Sequence, residues 1–557
     1  MTSHRVTPTV NPSAANSHTL IPAPRSFRPI DGVLDLDSAT TVASDPQLDA
    51  TRRWFTRAFG AATGWDLPPA APETANIRFR VDTDMDAEAY RLEVDDVVTV
   101  HAAAGAGAFH AAQTLLQLLG ADALRQAPLR DSRAAWHLRR ASIEDGPRLS
   151  YRGVMLDVAR HFMPKEDVLR FIDVMALHKL NVLQLHLTDD QGWRIEVHRY
   201  PKLTEIAAWR RQSSVGSWRA GIVDPLPHGG YYSQDDLREI VAFAADRHIT
   251  VIPEVDVPGH SQAAIAAYPQ LGNADEPVEV WTRWGISETV LDVSETSLEF
   301  YRNVLDEVVE IFPSPWISLG GDEVPLAQWE GSADARARAS DLGLPGVGGL
   351  HSWFVAQLAQ HLTGHGRIAS VWDEVGDNGL PEGALVLSWR GYAGGVEALT
   401  QGYDVVMCPE HKLYLDHRQS DRDDEPVPVG FVTTLQAVYE FEPLPEGIDP
   451  VQPGRLLGAQ ANIWSEHLHS ARRVNYAAYP RLSAIAEAFW SRPEVRDYEW
   501  FQSRLRGVHL DRLAAKGVEF RPLEGPLPWQ QRPGVTGWKR DYEAERHGAS
   551  GEGNRAH

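Results

Sequence analysis

Short apolar segments alternate with amphipathic stretches between about residues 150 and 510, and this repeat restricts the fold more than any other feature of the sequence. Eight of the apolar segments have the character of buried strands, and they begin at Gly153, Asn181, Thr250, Trp316, Ile368, Leu385, Asp404 and Gly458. Strands separated by helices form parallel sheets, because parallel neighbours need a crossover connection. Eight such units predict an α/β fold, the (β/α)₈ or TIM barrel, whose functional residues lie at the C-terminal ends of the strands.

The sequence on either side of this repeat divides the chain into further parts. Residues 1–20 are polar and rich in Ser, Thr, Asn and Pro, which predicts a flexible N-terminal arm. Residues 21–147 mix strand-like and helical segments, which predicts a small α+β domain that precedes a barrel domain of residues 148–510. Residues 511–557 are charged and contain several glycines near the end, which predicts a partly disordered C-terminal extension.

Charge and cysteine content exclude several classes of function. The net charge of −23, from 53 basic and 76 acidic residues, argues against nucleic acid as a partner, because nucleic acid requires a basic surface. The single cysteine, Cys408, excludes an intramolecular disulfide and a thiolate metal cluster. No apolar run has the length of a membrane span or the pattern of a signal peptide, so we expect no membrane partner and a cytoplasmic location, or a secreted one if a leader was removed. The oligomeric state stays open.

Charged and aromatic side chains collect at the predicted strand ends. They are Arg160, Asp189, His260, Trp372, Trp389, Tyr414, Asp416, Trp464 and Glu466. Charged groups bind sugar hydroxyls, and indole rings pack against the apolar faces of sugar rings. Tryptophans at three separate strand ends therefore favour a sugar pocket over three ordinary core residues.

The segment "WISLGGDEV" places Gly320 and Gly321 between a buried strand and the adjacent acids Asp322 and Glu323. The glycines indicate that another group approaches the backbone closely. Acids at a sugar pocket suggest glycoside hydrolysis, but neighbours on an extended strand point in opposite directions. The pair would then not supply both the acid and the nucleophile, whose carboxyl groups lie ~5 Å apart in common retaining enzymes. A nucleophile supplied by the substrate's own acetamido oxygen resolves this conflict.

Several motifs, in order along the chain, carry a family resemblance. They are "LDVARHFMPKEDVLRF", "NVLQLHLTDDQGWRIE", "PEVDVPGHSQAA", "LGGDEV", "ANIWSE" and "YPRLSAIAEAFW". Together they resemble the family 20 glycoside hydrolases, which are β-N-acetylhexosaminidases, over about residues 20–510. The resemblance implies exo-hydrolysis of terminal β-linked N-acetylglucosamine or N-acetylgalactosamine from oligosaccharides. The implied mechanism is substrate-assisted, retains the anomeric configuration and uses no metal or cofactor.

Roles for the residues nearest the reaction follow from the same motifs. The resemblance implies that Glu323 acts first as general acid and then as general base. Asp322 would accept the acetamido N–H and stabilise the oxazolinium intermediate, and Tyr414 would donate to the acetamido oxygen. The walls around the acetamido group would be Trp372, Trp389 and Trp464.

The remaining residues would hold the sugar or support the acids. The resemblance implies that Arg160 and Glu466 bind ring hydroxyls and that Asp416 binds the outer hydroxyls. Asp189 and His260 would form a supporting pair that positions Glu323. For Arg160, Asp189 and His260, a buried ion network with no direct role in binding is the alternative.

The effect of one departure from the family pattern is not predicted, and two other classes of function remain as alternatives. The family usually has His at the position of Ser318, so a hydrogen bond behind the acids would be lost, or made by Ser318 or a water. The first alternative function is a metal-dependent barrel hydrolase with ligands drawn from Asp189, Asp190, His260, Asp322 and Glu323. The second is a sugar-binding protein without turnover. The preference between N-acetylglucosamine and N-acetylgalactosamine is not predicted.

Overall fold

The computed structural model describes residues 18–548 except 130–134, 274–275, 446 and 449–453. The chain forms two compact units. The first contains the N-terminal part up to Arg148 together with Trp490–Val518, and the second contains Leu149–Phe489 together with the residues from Glu519 onward. No helix in the described ranges has both the length and the apolar character needed to cross a membrane.

The first unit is built on a six-stranded mixed sheet, which confirms the predicted small α+β domain. In spatial order its strands are Ser26–Leu36, Trp136–Asp145, Tyr90–Val94, Val98–Ala102, Ile77–Val81 and Val42–Ser44. Along Val98–Ala102 every second residue is fully buried, which is the period of a strand covered on one face. The helix Gly105–Leu119 packs on this sheet, and the helix Asp49–Thr63 packs against that helix.

Residues 490–518 lie in the first unit, although the sequence predicted that residues 490–510 belong to the barrel. Arg512 donates hydrogen bonds to the carbonyl oxygens of Thr19 and Gln117 at 2.7 and 2.8 Å. The helical segments here are Tyr498–Arg504, the π-helical Leu505–His509, and Leu510–Ala515. The prediction was wrong because an amphipathic helix has the same apolar pattern whether it covers a barrel or a sheet.

The two chain ends predicted to be flexible are described in part. The ring of His18 lies 4.9 Å from that of Phe27 and 4.8 Å from that of Trp500, so the last residues of the predicted arm are packed and the prediction was wrong for them. Residues 1–17 lie outside the described residues. The C-terminal extension is described as far as the helix Tyr542–Gly548, and residues 549–557 lie outside.

The second unit contains a closed barrel of eight parallel strands, which confirms the predicted TIM barrel and all eight predicted segments. In barrel order the strands are Tyr151–Asp157, Val182–His186, Thr250–Glu254, Trp316–Ser318, Ile368–Trp372, Leu385–Ser388, Asp404–Met407 and Leu456–Ile463. Inside the barrel an apolar cluster includes Tyr151, Val182, Ile252 and Val406. These side chains come from four different strands, as expected for a filled barrel interior.

Helices follow most of the barrel strands and cover the barrel. The longer ones are Lys165–Leu177, Gln234–Ala245, Glu295–Ile311, Ala333–Asp341, Gly349–Gly364, Ala393–Thr400, Ala471–Ala478 and Arg481–Trp490. Shorter ones are Lys202–Glu205, Gln262–Ala267, Ala327–Gly331, Glu410–Leu413 and Leu435–Tyr439. In the helix Lys165–Leu177 the side chains of Val168, Phe171, Ile172 and Met175 are buried, and their spacing is that of one helix face.

Candidate active site

Two cavities adjoin at the end of the barrel where the strands finish. We name the first the inner pocket; it encloses about 200 Å³ and is lined by eight of the predicted residues, namely Arg160, Asp322, Glu323, Trp389, Tyr414, Asp416, Trp464 and Glu466. We name the second the outer cleft; it has a volume of about 750 Å³. Glu323 lines both cavities, so its carboxyl group lies at the junction between them.

The backbone leading to the two acids is not an extended strand. The fourth barrel strand ends at Ser318, and Gly320, Gly321 and Glu323 have left-handed φ angles of 61°, 89° and 50°. The expectation that Asp322 and Glu323 point in opposite directions was therefore wrong, because it assumed a continuous strand. A left-handed conformation is rare for a residue other than glycine, and at Glu323 it orients a functional side chain.

The two glycines make room for groups of the protein itself. A β-carbon on Gly320 would lie 2.0 Å from Oδ1 of Asp256, and one on Gly321 would lie 2.6 Å from Cγ2 of Val375. The backbone N–H of Gly321 also donates to Oδ1 of Asp256 at 2.9 Å. The predicted close approach is confirmed, and the approaching groups come from the third strand's loop and from the segment after the fifth strand.

His260 connects the predicted supporting residues to the two acids. Its Nδ1 lies 3.3 Å from Oδ1 of Asp189, and its Nε2 lies 3.8 Å from Oδ2 of Asp322 and 3.6 Å from Oε2 of Glu323. Burial disfavours a charged imidazole, but the carboxyl groups of Asp189, Asp190 and Glu323 together outweigh burial and raise the pKa of His260 well above its usual value. The ring is therefore an imidazolium that holds both acids on one side.

Arg160 completes this network from the opposite side of Asp189. Its Nη2 lies 2.8 Å from Oδ2 of Asp189, and its guanidinium lies 4.8 Å from the ring centre of Trp464. Burial alone would raise the pKa of Asp189, but Arg160 and His260 together hold it well below the usual range. Asp189 is thus an anion between two cations, which is the arrangement that makes a buried charge tolerable.

Asp322 is a buried acid whose charge is only partly compensated. Burial raises its pKa to about 6, while the nearby His260 opposes this rise. Its Oδ1 accepts no hydrogen bond from any described residue. A buried acceptor without a donor is costly, so the inner pocket offers one oxygen that is ready for an N–H of a ligand.

Aromatic side chains surround Asp322 in the inner pocket. The rings of Trp389 and Tyr414 are stacked with centres 6.2 Å apart, and the ring of Trp464 lies 6.2 Å from that of Tyr414. Trp372 is 1% exposed, belongs to the apolar cluster of the barrel and donates its indole N–H to Oε1 of Glu254 at 3.0 Å. Its ring lies 6.2 Å from that of Trp464, so in this structure it supports that wall from within the core.

Two further carboxyl groups occupy the inner pocket. Burial and the neighbouring Glu466 raise the pKa of Asp416 well above its usual value, and its Oδ1 accepts no hydrogen bond from the described residues. Burial also raises the pKa of Glu466, although Arg160 opposes this effect. Two carboxyl groups and a guanidinium can together accept from and donate to several hydroxyl groups of one sugar ring.

Sequence reasoning missed several residues that hold this site in place. Asp157 accepts from the backbone N–H groups of Ala159 and Ser465, and Glu254 accepts from His186 at 2.9 Å and from Trp372. Other missed residues are Asp256, His351, Glu374 and Arg540. A signal for two of them existed, because Glu254 and Asp256 are two residues apart at the predicted end of the third strand, in "PEVDVPGH", and alternate residues of an extended segment share one face. His351, which hydrogen bonds to the carbonyl of Gly321 at 2.8 Å, lies on an outer helix and carried no such signal.

The position where the family usually has His is fully buried. Ser318 is 0% exposed, and its hydroxyl oxygen lies 3.4 Å from the backbone N–H of Gly320, which donates to it. The serine thus hydrogen bonds to the glycine turn that precedes the acids.

The positions of the buried acids and histidines also test the alternative that the site is a metal centre. Three buried sets of described residues have ligand atoms close enough to hold an ion, and they are His186 with Asp189 and Asp256, Asp189 with Asp190 and His260, and Asp256 with His260 and Asp322. However, Oδ2 of Asp189 already contacts both Arg160 and His186 at 2.8 Å. Because Arg160 and His186 already supply positive charge to Asp189, the two sets that contain Asp189 fit an ion network better than a metal centre.

Comparison with protein families agrees with this geometry. Residues 149–493 match the glycosyl hydrolase family 20 catalytic domain, and residues 17–146 match domain 2 of the same family. A β-hexosaminidase of Porphyromonas gingivalis is 36% identical over 92% of this chain and 65% of its own length. A β-N-acetylhexosaminidase of Cellulomonas fimi is 32% identical over 87% of this chain and 92% of its own length.

Solved structures give the same result. The exo-β-N-acetylglucosaminidase of Vibrio harveyi in complex with N-acetylglucosamine has a TM-score of 0.79 at 32% identity, covering 90% of this chain and 78% of that one. The β-N-acetylhexosaminidase of Streptomyces coelicolor has a TM-score of 0.78 at 28% identity, covering 93% of this chain and 100% of that one. The chain spans about two thirds of the length of the Porphyromonas relative but most of the length of the others. The motifs, the barrel and these matches show that the chain belongs to glycosyl hydrolase family 20.

Proposed function

We propose that the protein is a β-N-acetylhexosaminidase that removes terminal non-reducing β-linked N-acetylglucosamine or N-acetylgalactosamine from oligosaccharides such as chitin fragments or glycoconjugates. One observation carries the proposal. Inside an aromatic pocket, the buried Oδ1 of Asp322 accepts no hydrogen bond from the part of the chain that the structure describes, while its neighbour Glu323 lies at the junction of that pocket with the outer cleft. The first acid faces one bound sugar, and the second faces the bond that joins this sugar to the rest of the chain.

The contents of the inner pocket support binding of a single terminal N-acetylhexosamine. Arg160, Asp416 and Glu466 offer hydrogen-bonding groups to ring hydroxyls, and Trp389 and Trp464 offer apolar faces to the ring and to the acetamido methyl group. The names of the relatives and the N-acetylglucosamine bound to the Vibrio harveyi enzyme agree with this class of ligand.

In the proposed mechanism Glu323 donates a proton to the glycosidic oxygen while the acetamido carbonyl oxygen attacks the anomeric carbon. Asp322 accepts the acetamido N–H and balances the positive charge of the oxazolinium that forms, and Tyr414 donates to the acetamido oxygen. Glu323 then removes a proton from a water that opens the oxazolinium, so the configuration is retained. The imidazolium of His260 stabilises both acids as anions, which favours the release of the proton from Glu323.

Rates on chromogenic β-glycosides of N-acetylglucosamine, N-acetylgalactosamine and glucose test the proposal. We expect turnover of one or both N-acetyl substrates and almost none of the glucoside, because only the former carry the internal nucleophile. Comparable turnover of the glucoside would exclude the mechanism. Loss of activity on chelation and dialysis, restored by a divalent ion, would support a metal-dependent hydrolase, and sugar binding without product would support a binding protein.

A further inference from the structure

The outer cleft is bordered by a part of the chain that lies beyond the barrel strands. Arg540, Tyr542 and Glu545 of the C-terminal extension line it, together with residues that follow the fourth, fifth and sixth barrel strands. Glu323 reaches this cleft as well as the inner pocket. We propose that residues 538–545 form the subsite for the leaving-group saccharide, an inference that rests on the proposed function. We further propose that this subsite binds a neutral or amino sugar in preference to a uronic acid.

Backbone hydrogen bonds fix the extension in this position. The N–H of Gly430 donates to the carbonyl of Trp538 at 2.8 Å, and the N–H of Arg540 donates to the carbonyl of Gly430 at 2.9 Å. Just before this segment, the N–H of Ser217 donates to the carbonyl of Thr536 at 2.8 Å. Two separate loops of the barrel unit therefore hold the extension, so it forms a defined wall.

Aromatic rings give this wall a surface suited to a sugar. The ring of Tyr542 is stacked on that of His411 with centres 4.0 Å apart and an angle of 9°, and both residues line the outer cleft. Trp538 lines the inner pocket near the junction and is 38% exposed. Flat aromatic surfaces beside a catalytic acid can pack against the apolar face of the sugar that departs.

The charges of the outer cleft determine which sugar is accepted. The described lining contains five carboxylic acids, Glu288, Glu323, Glu374, Glu410 and Glu545, and two arginines, Arg390 and Arg540. Both arginines are already paired, Arg390 with Asp373 and Asp377, and Arg540 with Glu410 and Glu545. Neither guanidinium is available to a uronic acid. Burial raises the pKa values of Glu374 and Glu410 to about 7, so above that pH both are anions, and the surplus of carboxylates repels the carboxylate of a uronic acid while it attracts an amino group.

The test of the aromatic wall compares Tyr542→Ala with the control Trp529→Ala. Trp529 is 64% exposed, lies on the same extension and lines neither cavity. The measurement is kcat/KM for di-N-acetylchitobiose divided by kcat/KM for N-acetylglucosaminyl azide, whose small leaving group does not reach Tyr542. We expect Tyr542→Ala to lower this ratio about five- to tenfold, the worth of one aromatic contact. Tyr542→Phe should restore it, and Trp529→Ala should leave it at the wild-type value.

An unchanged ratio in Tyr542→Ala, or equal falls for Tyr542→Ala and Trp529→Ala, would overturn the subsite. Failure of the wild-type protein to hydrolyse either substrate would instead overturn the proposed function, so the two failures are distinguishable.

The charge preference is tested with two disaccharides that differ only in the leaving-group sugar, glucosamine or glucuronic acid. Above pH 7, where Glu374 and Glu410 are largely ionised, we expect the wild-type protein to favour the glucosamine substrate, with a preference that shrinks as salt is added. Glu288→Gln, at a residue that lines only the outer cleft, should reduce the preference about twofold because one exposed repelling charge is lost. A preference for glucuronic acid, or one that neither salt nor Glu288→Gln changes, would contradict the proposal.

Discussion

The inner pocket and the outer cleft share Glu323 and Arg540, but six predicted residues line only the inner pocket, and Tyr542 and Glu545 line only the outer cleft. Every predicted residue of the inner pocket lies at or just after the end of a barrel strand, whereas Tyr542 and Glu545 belong to the C-terminal extension. The barrel brings strand ends together whatever loops connect them. The barrel itself therefore positions the acids and the aromatic residues of the inner pocket, and the C-terminal extension adds part of the wall of the outer cleft.

The two cavities also differ in how their charges are accommodated. In the inner pocket Asp189 and Asp322 are buried, and their pKa values are shifted in opposite directions by burial and by their cationic neighbours. In the outer cleft Glu288 and Glu545 are exposed, so water screens them, whereas burial raises the pKa values of Glu374 and Glu410 to about 7. Changes in the inner pocket should therefore alter rate and stability strongly, and changes in the outer cleft should alter preference only modestly.

The largest effect is expected for Glu323→Gln, at the junction of the two cavities. Loss of the general acid should slow oligosaccharides, which have poor leaving groups, by ~10²-fold or more, and activated aryl glycosides by less. The two losses are measured as steady-state rates of wild type and variant on di-N-acetylchitobiose and on an aryl glycoside with a good leaving group. Equal losses on both substrates would show that Glu323 is not the proton donor.

Asp322→Asn should have the next largest effect. The amide keeps the shape of the side chain but loses the charge that balances the oxazolinium, which costs on the order of 3 kcal/mol, or ~10²-fold. The fall should appear in kcat more than in KM, because the interaction develops in the transition state. Trapping of a sugar on Asp322 with a fluorinated glycoside, seen by mass spectrometry, would contradict the mechanism and make this residue a nucleophile.

This contrast also explains how much the sequence could predict. The eight strands and most of the inner pocket were predictable, because alternating patterns locate strands and the barrel then brings their ends together. The directions in which the side chains of Asp322 and Glu323 point were not predictable, because a left-handed φ at Glu323 has no signature in the sequence. Gly320 signalled a close approach, but the approaching carboxylate, Asp256, belongs to a different strand's loop.

The outer cleft was beyond the reach of sequence patterns for a different reason. Arg540 lies far past the last barrel strand in a charged segment that resembles a disordered tail. Its place is fixed by backbone hydrogen bonds between the extension and Gly430, which any residue type except proline could make. Contacts made through the backbone leave no pattern of side chains to recognise.

A smaller effect is expected for Trp464→Ala, which tests whether this ring is a wall of the pocket or part of the core. Removal of an aromatic surface should weaken binding of an N-acetyl-thiazoline mimic of the intermediate by about 10- to 100-fold. Trp372→Phe is the matched control, because Trp372 is buried and bonded to Glu254. We expect this control to lower the melting temperature with less loss of affinity. The reverse pattern, with Trp464→Ala destabilised and still binding the inhibitor, would make Trp464 the core residue.

The smallest effect concerns the stability of the free protein, and it distinguishes the two cavities most directly. The pKa of Asp322 is raised by burial from 3.8 to about 6, so the folded state prefers the neutral acid. The stability gained from this preference is complete below about pH 4 and is lost as the pH rises through 6. Asp322→Asn, which stays neutral, should therefore raise the free energy of unfolding at pH 8 by about 1–3 kcal/mol and have little effect at pH 4.

The control, Glu288→Gln in the exposed outer cleft, should change the free energy of unfolding by less than about 0.5 kcal/mol at either pH. Denaturant unfolding of the three proteins at both pH values gives these differences. If Asp322→Asn were instead less stable at pH 8, the attraction between Asp322 and His260 would outweigh burial, and the inner pocket would be stabilised by the charge that the reaction requires.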